Sequence, residues 1–156
     1  MSAPIKLMRT VLSTTLVGGG GGSSSSSATR AVVQLTTSSL ANNDTETDSI
    51  AMAKTFQLLI VQVSNYARVR LYSTLAARTA DAGRGVGLPV PWGSMSGVIA
   101  DISMTPALGI LTWMMSPAAL GFNDDSPVTQ TIYAAITNLS GSPTTIMVTL
   151  TYLQME

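Results

Sequence analysis

Histidine and cysteine are both absent from this chain of 156 residues. Without histidine the chain lacks the commonest general acid and base, and no Ser-His-Asp or Cys-His arrangement is possible. Without cysteine it has neither disulfides nor thiolate metal ligands. Glutamate occurs only at Glu46, in a polar stretch, and at Glu156, so two facing carboxylates for glycoside hydrolysis are not expected. We predict a protein that is not an enzyme and has no catalytic residues, no cofactor and no metal.

Charged side chains are scarce. They make up 10% of the sequence, whereas a typical soluble domain has about 25%. The eight basic and eight acidic residues cancel, and the basic ones are too few for the footprint of a nucleic-acid-binding protein. No apolar run reaches the roughly 20 residues of a membrane span. Nucleic acid and membranes are therefore not among the expected partners.

Apolar residues, in contrast, make up 46% of the chain. A compact monomer with a surface of serine, threonine and asparagine is one explanation of this composition. The alternative, which we favour, is that neighbouring copies cover much of the surface. Contiguous apolar surface marks association sites, and a monomer with so few charges dissolves poorly.

Five consecutive glycines at 18–22 and five consecutive serines at 23–27 interrupt the sequence. A tract of this composition is typical of a flexible linker. It divides the chain into an N-terminal arm, 1–17, and a body, 28–156. We expect the arm to extend along a neighbouring subunit, adding a strand to its sheet. The apolar residues expected to anchor it are Val11, Leu12, Leu16 and Val17.

The body has the pattern of an all-β protein. Short β-branched or alternating segments are separated by turn residues, which is typical of a sandwich. The segment at 74–82 is the one helix-like stretch, and we expect it to end at Gly83. We predict a single jelly-roll-like β-sandwich of seven to eight strands with one short helix, and loops at 83–97 and 117–127. The expected strands are 30–36, 49–55, 56–63, 66–72, 98–104, 108–115, 128–137 and 144–153.

Several of the few charged residues lie close together around the helical segment. Arg68 and Arg70 precede it, and Arg78, Asp81 and Arg84 lie within or just after it. We predict an ion-pair network that fixes the helical turn against the sheet, because buried charges need partners. A patch that binds a partner is the alternative interpretation.

Asp44, Glu46 and Asp48 alternate in a polar segment and are candidate calcium ligands. The turn glycine and distal glutamate of a calcium-binding loop are missing. We therefore predict a solvated loop there.

The chain has two tryptophans. Trp113 lies inside a predicted strand, so we expect it in the core. Trp92 lies in a proline-rich loop and is the candidate exposed contact, either with another subunit or with a host glycan.

Segments of the body resemble small β-sandwich virion proteins of tailed bacteriophages. The resemblance covers about residues 60–153 and lies outside the arm. The segments that carry it are Ala67–Tyr72 (ARVRLY), 78–84 (RTADAGR), 111–113 (LTW) with Ser116 and Pro117, 136–141 (ITNLSG) and 148–153 (VTLTYL).

This resemblance implies a structural component of a phage particle, located in the virion, whose partners are copies of itself and other virion proteins. We expect a non-enzymatic protein that assembles in multiple copies through its arm, in the tail, baseplate or fibre region. A protein that decorates the capsid is the alternative. An alternative of another class is a carbohydrate-binding module for host-surface glycans.

Overall fold

Strands with alternating inward and outward side chains form two antiparallel sheets that pack face to face. A computed structural model describes residues 11–13, 28–90 and 97–155. One sheet has five strands in the order β1-β2-β9-β4-β7, and the other has four in the order β3-β8-β5-β6. The elements are β1 (Val11–Ser13), β2 (Thr29–Leu40), β3 (Thr45–Ala51), β4 (Thr55–Val63), β5 (Ala67–Tyr72), α1 (Leu75–Ala80), β6 (Val98–Met104), β7 (Thr112–Phe122), β8 (Thr131–Asn138) and β9 (Thr144–Gln154).

The predicted all-β sandwich with one short helix is confirmed, and its body, from β2 to β9, has eight strands. Among the described residues, no helix is long and apolar enough to cross a membrane. The arm contributes β1, in which Val11 pairs with Val33 and Ser13 with Ala31 of the same chain. Leu16 and Val17, two of the expected anchors, lie outside the described residues.

The core fills the space between the two sheets. In β9, Ile146, Val148 and Leu150 are fully buried and alternate with more exposed neighbours. Burying one such side chain contributes about 1.5–3 kcal/mol to folding. At one end of the core the rings of Phe56 and Tyr152 meet edge to face, with centroids 5.7 Å apart. The hydrophobic contact between the sheets thus holds the sandwich together.

Two segments predicted to be loops are strands. Residues 44–48 were expected to be a solvated loop, but β3 begins at Thr45 and pairs with β8 along its whole length. Residues 117–127 were expected to be a loop, but β7 extends to Phe122. Proline is tolerated at the edge of a sheet, and Pro117 lies where the pairing of β7 with β4 shifts register, between Met114 and Ala119.

The helix is shorter than predicted. It begins after Thr74, whose hydroxyl accepts a hydrogen bond from the backbone N–H of Ala77 at 3.0 Å, as an N-cap does. It ends at Ala80 with Asp81 as the C-cap residue. The prediction of Gly83 as the residue that ends the helix is therefore wrong.

Candidate functional site

The outer face of the four-stranded sheet carries buried charges at its centre. Arg68, Arg70 and Tyr72 alternate along β5 with Ala67, Val69 and Leu71, which belong to the core. The polar set faces away from the core, yet Arg68 and Arg70 are each only 2% exposed. Helix α1 and the segment 81–90 cover this face. Arg68 donates a hydrogen bond to the backbone carbonyl of Arg84, and Arg70 donates one to the backbone carbonyl of Asp81.

Two bidentate ion pairs organise the buried charges. Arg68 donates from Nε and Nη2 to the two carboxylate oxygens of Asp101, each at 2.8 Å. Arg84 donates from Nε and Nη2 to the carboxylate of Asp81, at 2.6 and 2.9 Å. Such paired contacts are stronger and more directional than single ones. Arg84 also donates from Nη1 to Asp101, which joins the two pairs into one network.

Asp81 is the centre of this network. Its Oδ2 accepts a hydrogen bond from the hydroxyl of Tyr72 at 2.7 Å and lies 3.4 Å from Nη1 of Arg70. Burial by itself raises the pKa of Asp81, but the hydrogen bonds from Arg84 and Tyr72 and the charges of Arg84 and Arg70 outweigh it. The pKa of Asp81 is therefore below its ordinary value. Burial, followed by the hydrogen bond to Asp81, raises the pKa of Tyr72.

Asp101 has the same balance of effects. Burial raises the pKa of its carboxyl group, and the hydrogen bonds and charges of Arg68 and Arg84 lower it further than burial raises it. The hydrogen bond to Asp81 is the largest of the effects that raise the pKa of Arg84. Both carboxylates and Arg84 are thus charged at neutral pH.

The structure brings together four of the five residues of the predicted ion network, namely Arg68, Arg70, Asp81 and Arg84. Arg78 makes no ion pair with any described residue. Its Nη1 donates to the backbone carbonyl of Asp48 at 2.8 Å, and its guanidinium lies 5.4 Å from the centre of the Tyr133 ring. It therefore attaches α1 to β3 and β8 by other contacts.

A second feature is an exposed apolar strand at the edge of the five-stranded sheet. We define the β7 surface as five residues with these exposed fractions: Leu111 37%, Trp113 39%, Met114 71%, Leu120 57% and Phe122 45%. Trp113 was expected in the core, and this prediction is wrong. Among the described residues β7 pairs only with β4, so no further strand covers Trp113.

The edge strand β7 has a proline and a register shift, but it lacks the charged side chains that also protect such a strand from association. Charged side chains, above all lysine or inward-pointing acids, block pairing with another chain. The edge strand β3 of the other sheet has such a charge, because Asp48 pairs with the core residue Ala134. In β7 every side chain is uncharged, and Pro117 is the one residue that lacks a backbone N–H donor.

One of the candidate calcium ligands, Glu46, has a structural role. Glu46 accepts hydrogen bonds from the backbone N–H of Ser38, at 3.0 Å, and from its hydroxyl. Because Ser38 lies where the pairing of β2 with β9 shifts register, Glu46 stabilises that irregular point from the facing sheet. In the part of the chain that the structure describes, no group of three acidic residues is arranged to hold a metal.

Trp92, the predicted exposed contact, lies outside the described residues. The β7 surface itself was missed. Residues 102–123 include no charged side chain, but residues 126–155, which contain the interior strands β8 and β9, include none either. The lack of charge therefore does not distinguish an exposed edge strand from a buried one.

Comparison with protein-family models, with curated proteins and with solved structures gave no match. The resemblance to phage virion proteins therefore remains an expectation from the sequence, and function has to be argued from the two surfaces described above.

Proposed function

We propose that this protein is a non-enzymatic structural subunit that assembles in multiple copies, and that the assembly is a bacteriophage particle. The β7 surface is the observation that carries this proposal. Four of its apolar side chains are exposed on an edge strand without charges, and the fifth, Leu111, directly precedes that strand. The bacteriophage part rests on the resemblance of the sequence, which favours the tail, baseplate or fibre region, with capsid decoration as the alternative.

The solvent face of β7 supports association through side chains. Met114, Leu120 and Phe122 lie opposite Ile60, Gln57 and Thr55 of β4, respectively. Full burial of one large apolar side chain contributes about 1.5–3 kcal/mol. Covering several of them against a neighbour offsets part of the cost of association, which is several kcal/mol.

The backbone of β7 supports association as well. One side of the strand pairs with β4, and on its other side no described strand is paired. An extended segment of a partner can add to such an edge through main-chain hydrogen bonds. A partner can thus pair with the free edge of β7 and contact its apolar side chains at the same place.

The arm supplies a second contact in this proposal. Val11–Ser13 pairs with β2 in its own chain through three residues, and the linker at 18–27 separates the arm from the body. The same short strand can pair with β2 of a neighbouring copy, because exchange of an identical element uses the same contacts. Such an exchange connects copies through contacts that the single chain already makes.

The test of self-association uses the full chain in analytical ultracentrifugation. We expect the parent to form oligomers and the double variant Met114→Glu, Leu120→Glu to sediment as a monomer. The matched control is Val128→Glu, which places one charge at a residue 54% exposed in the loop after β7. A parent that is monomeric at every concentration tested, or a double variant that associates like the parent, contradicts the proposal.

The particle assignment needs a separate test. Deletion of residues 1–22 should leave a soluble, folded body that no longer enters particles, as judged by mass spectrometry of purified virions. Gold labelling of the parent protein in electron micrographs then separates tail from capsid. Incorporation that is unchanged by the deletion contradicts the anchoring role of the arm, and absence of the parent from the particles contradicts the assignment to a virion.

A further inference from the structure

A cavity of about 420 Å³ lies beside the buried ion network. Arg68, Arg70 and Arg84 line one part of it, and Asn43, Thr45 and Thr137 line another. Val86, on the segment that covers the sheet, is 47% exposed and borders the cavity as well. The cavity is thus a recess with arginines at its inner wall and small polar side chains beside them.

The charges around the cavity do not balance. Three arginines line it, and two carboxylates, Asp81 and Asp101, pair with those arginines. The sum of three positive and two negative charges is one positive charge in excess. A buried charge without a full partner costs several kcal/mol, so this arrangement favours a bound group with one negative charge.

Arg70 is the arginine with the weakest set of partners. Arg68 and Arg84 each make a bidentate pair, whereas Arg70 has one contact with a carboxylate, at 3.4 Å, and one with a carbonyl, at 3.0 Å. Its Nε is buried and has no hydrogen-bond acceptor among the described residues. Because Arg70 lines the cavity, an acceptor that enters it adds a contact to the guanidinium that has the weakest contacts with the protein.

Two threonines provide a further hydrogen-bond donor at the cavity. The hydroxyl oxygens of Thr45 and Thr137, which face each other across β3 and β8, are 2.7 Å apart. One hydroxyl donates to the other, and the second hydrogen remains available, because each hydroxyl has one hydrogen and two acceptor positions. The amide of Asn43 lines the same wall.

We infer that this cavity binds a carboxylate on a polar molecule of monosaccharide size, such as a uronic acid. A carboxylate is planar and matches the edge of a guanidinium, and its single charge equals the excess in the cluster. A phosphate monoester carries about −1.5 to −2 charges at neutral pH, and the surplus would be repelled by Asp81 and Asp101.

The size and the lining of the cavity also suit the part of the ligand beyond its carboxylate. Small-molecule sites usually measure about 300–1,000 Å³, so 420 Å³ lies at the lower end of that range. The threonine hydroxyls and the asparagine amide are suited to hydroxyl groups of the ligand, which both donate and accept hydrogen bonds.

The experiment titrates the full-length protein with glucuronate and with glucose, which differ at the carboxylate, and follows binding by calorimetry. We expect binding of glucuronate and at least about tenfold weaker binding of glucose, the effect of losing one charge-assisted contact. Equal binding of the two sugars, or no binding of glucuronate, overturns the inference. Acetate that binds as tightly as glucuronate overturns the assignment of a sugar-sized ligand.

Two tryptophan variants show where binding takes place without disturbing the ion pairs. Val86→Trp fills the cavity and should abolish glucuronate binding with little change in the melting temperature. The matched control is Leu88→Trp, at an exposed residue two positions away that does not line the cavity, and it should bind normally. Binding that survives in Val86→Trp contradicts this location. Tighter binding of a glutamate-rich peptide than of glucuronate would instead indicate a protein side chain as the occupant.

Discussion

Charged side chains are usually exposed and large apolar side chains buried. Two regions reverse this distribution: the outer face of the four-stranded sheet and the β7 edge of the five-stranded sheet. On the first, Arg68, Arg70 and Asp81 are almost completely buried. On the second, large apolar side chains are exposed, among them Met114 at 71% and Leu120 at 57%. The difference lies in what covers each surface. Helix α1 and the segment after it cover the charges, whereas no described element of the chain covers the exposed side chains of β7.

The two regions also contribute differently to the folded chain. The ion network connects β5 and β6 with the segment after α1, and this segment and α1 contribute no residue to the hydrophobic core. Among the residues of α1, none is buried. The β7 surface, in contrast, gains little within the chain and offers its apolar area to a partner. We therefore expect substitutions in the first region to change stability and those in the second to change association.

Substitution of Asp81 should have the largest effect on stability. In Asp81→Asn the buried charges of Arg70 and Arg84 lose their shared counterion, and removing one partner of a buried pair typically costs about 3–5 kcal/mol. Urea denaturation measures this change in the free energy of unfolding. Asp124→Asn, at an exposed residue, is the control, and its expected change is within about 0.5 kcal/mol. Equal stability of Asp81→Asn and the parent would show that the network does not hold the segment after α1 to the sheet.

Acid should weaken the same region gradually. The folded pKa values of Asp81 and Asp101 are lower than their ordinary values, so the stability that these groups contribute is complete above the unfolded pKa, about 3.9. It is lost as the pH falls through the lower folded values. The free energy of unfolding of the parent should therefore fall below about pH 4. Asp81→Asn should show a shallower fall, and parallel curves for the two proteins would contradict this assignment.

The elements with a regular pattern could be predicted from the sequence. The alternation in β5 and β9 gave the position of both strands to within one residue, because a strand with one face in the core must repeat every two residues. The same alternation placed Arg68 and Arg70 on one side of β5. Helix α1 followed from the one segment without strand character. These predictions depend on local patterns alone.

The parts that depend on pairing between distant strands could not be predicted. Asp101 joins the network because it lies opposite Arg70 across β5 and β6, and a single sequence does not show the register of strands that are separated by a long loop. For the second half of β7, the prolines at 117 and 127 and the polar residues 123–125 suggested a loop. Proline is compatible with an edge strand, and a glycine is required at 121 because a Cβ there would lie 2.2 Å from the Phe56 ring.

The smallest effect on stability is expected at the most exposed residue of the β7 surface. Met114→Gln removes an apolar side chain that makes little contact within the chain, so the free energy of unfolding of the monomer should change by no more than about 0.5 kcal/mol. Under dilute conditions, where the parent is dissociated, urea denaturation gives this value directly. At high concentration the parent should gain stability from association and the variant should gain less, because a partner that binds only the folded state stabilises it by mass action. A variant that loses stability equally at both concentrations would show that Met114 supports the fold of its own chain. In that case the contrast between a structural ion network and an associating edge strand would no longer hold.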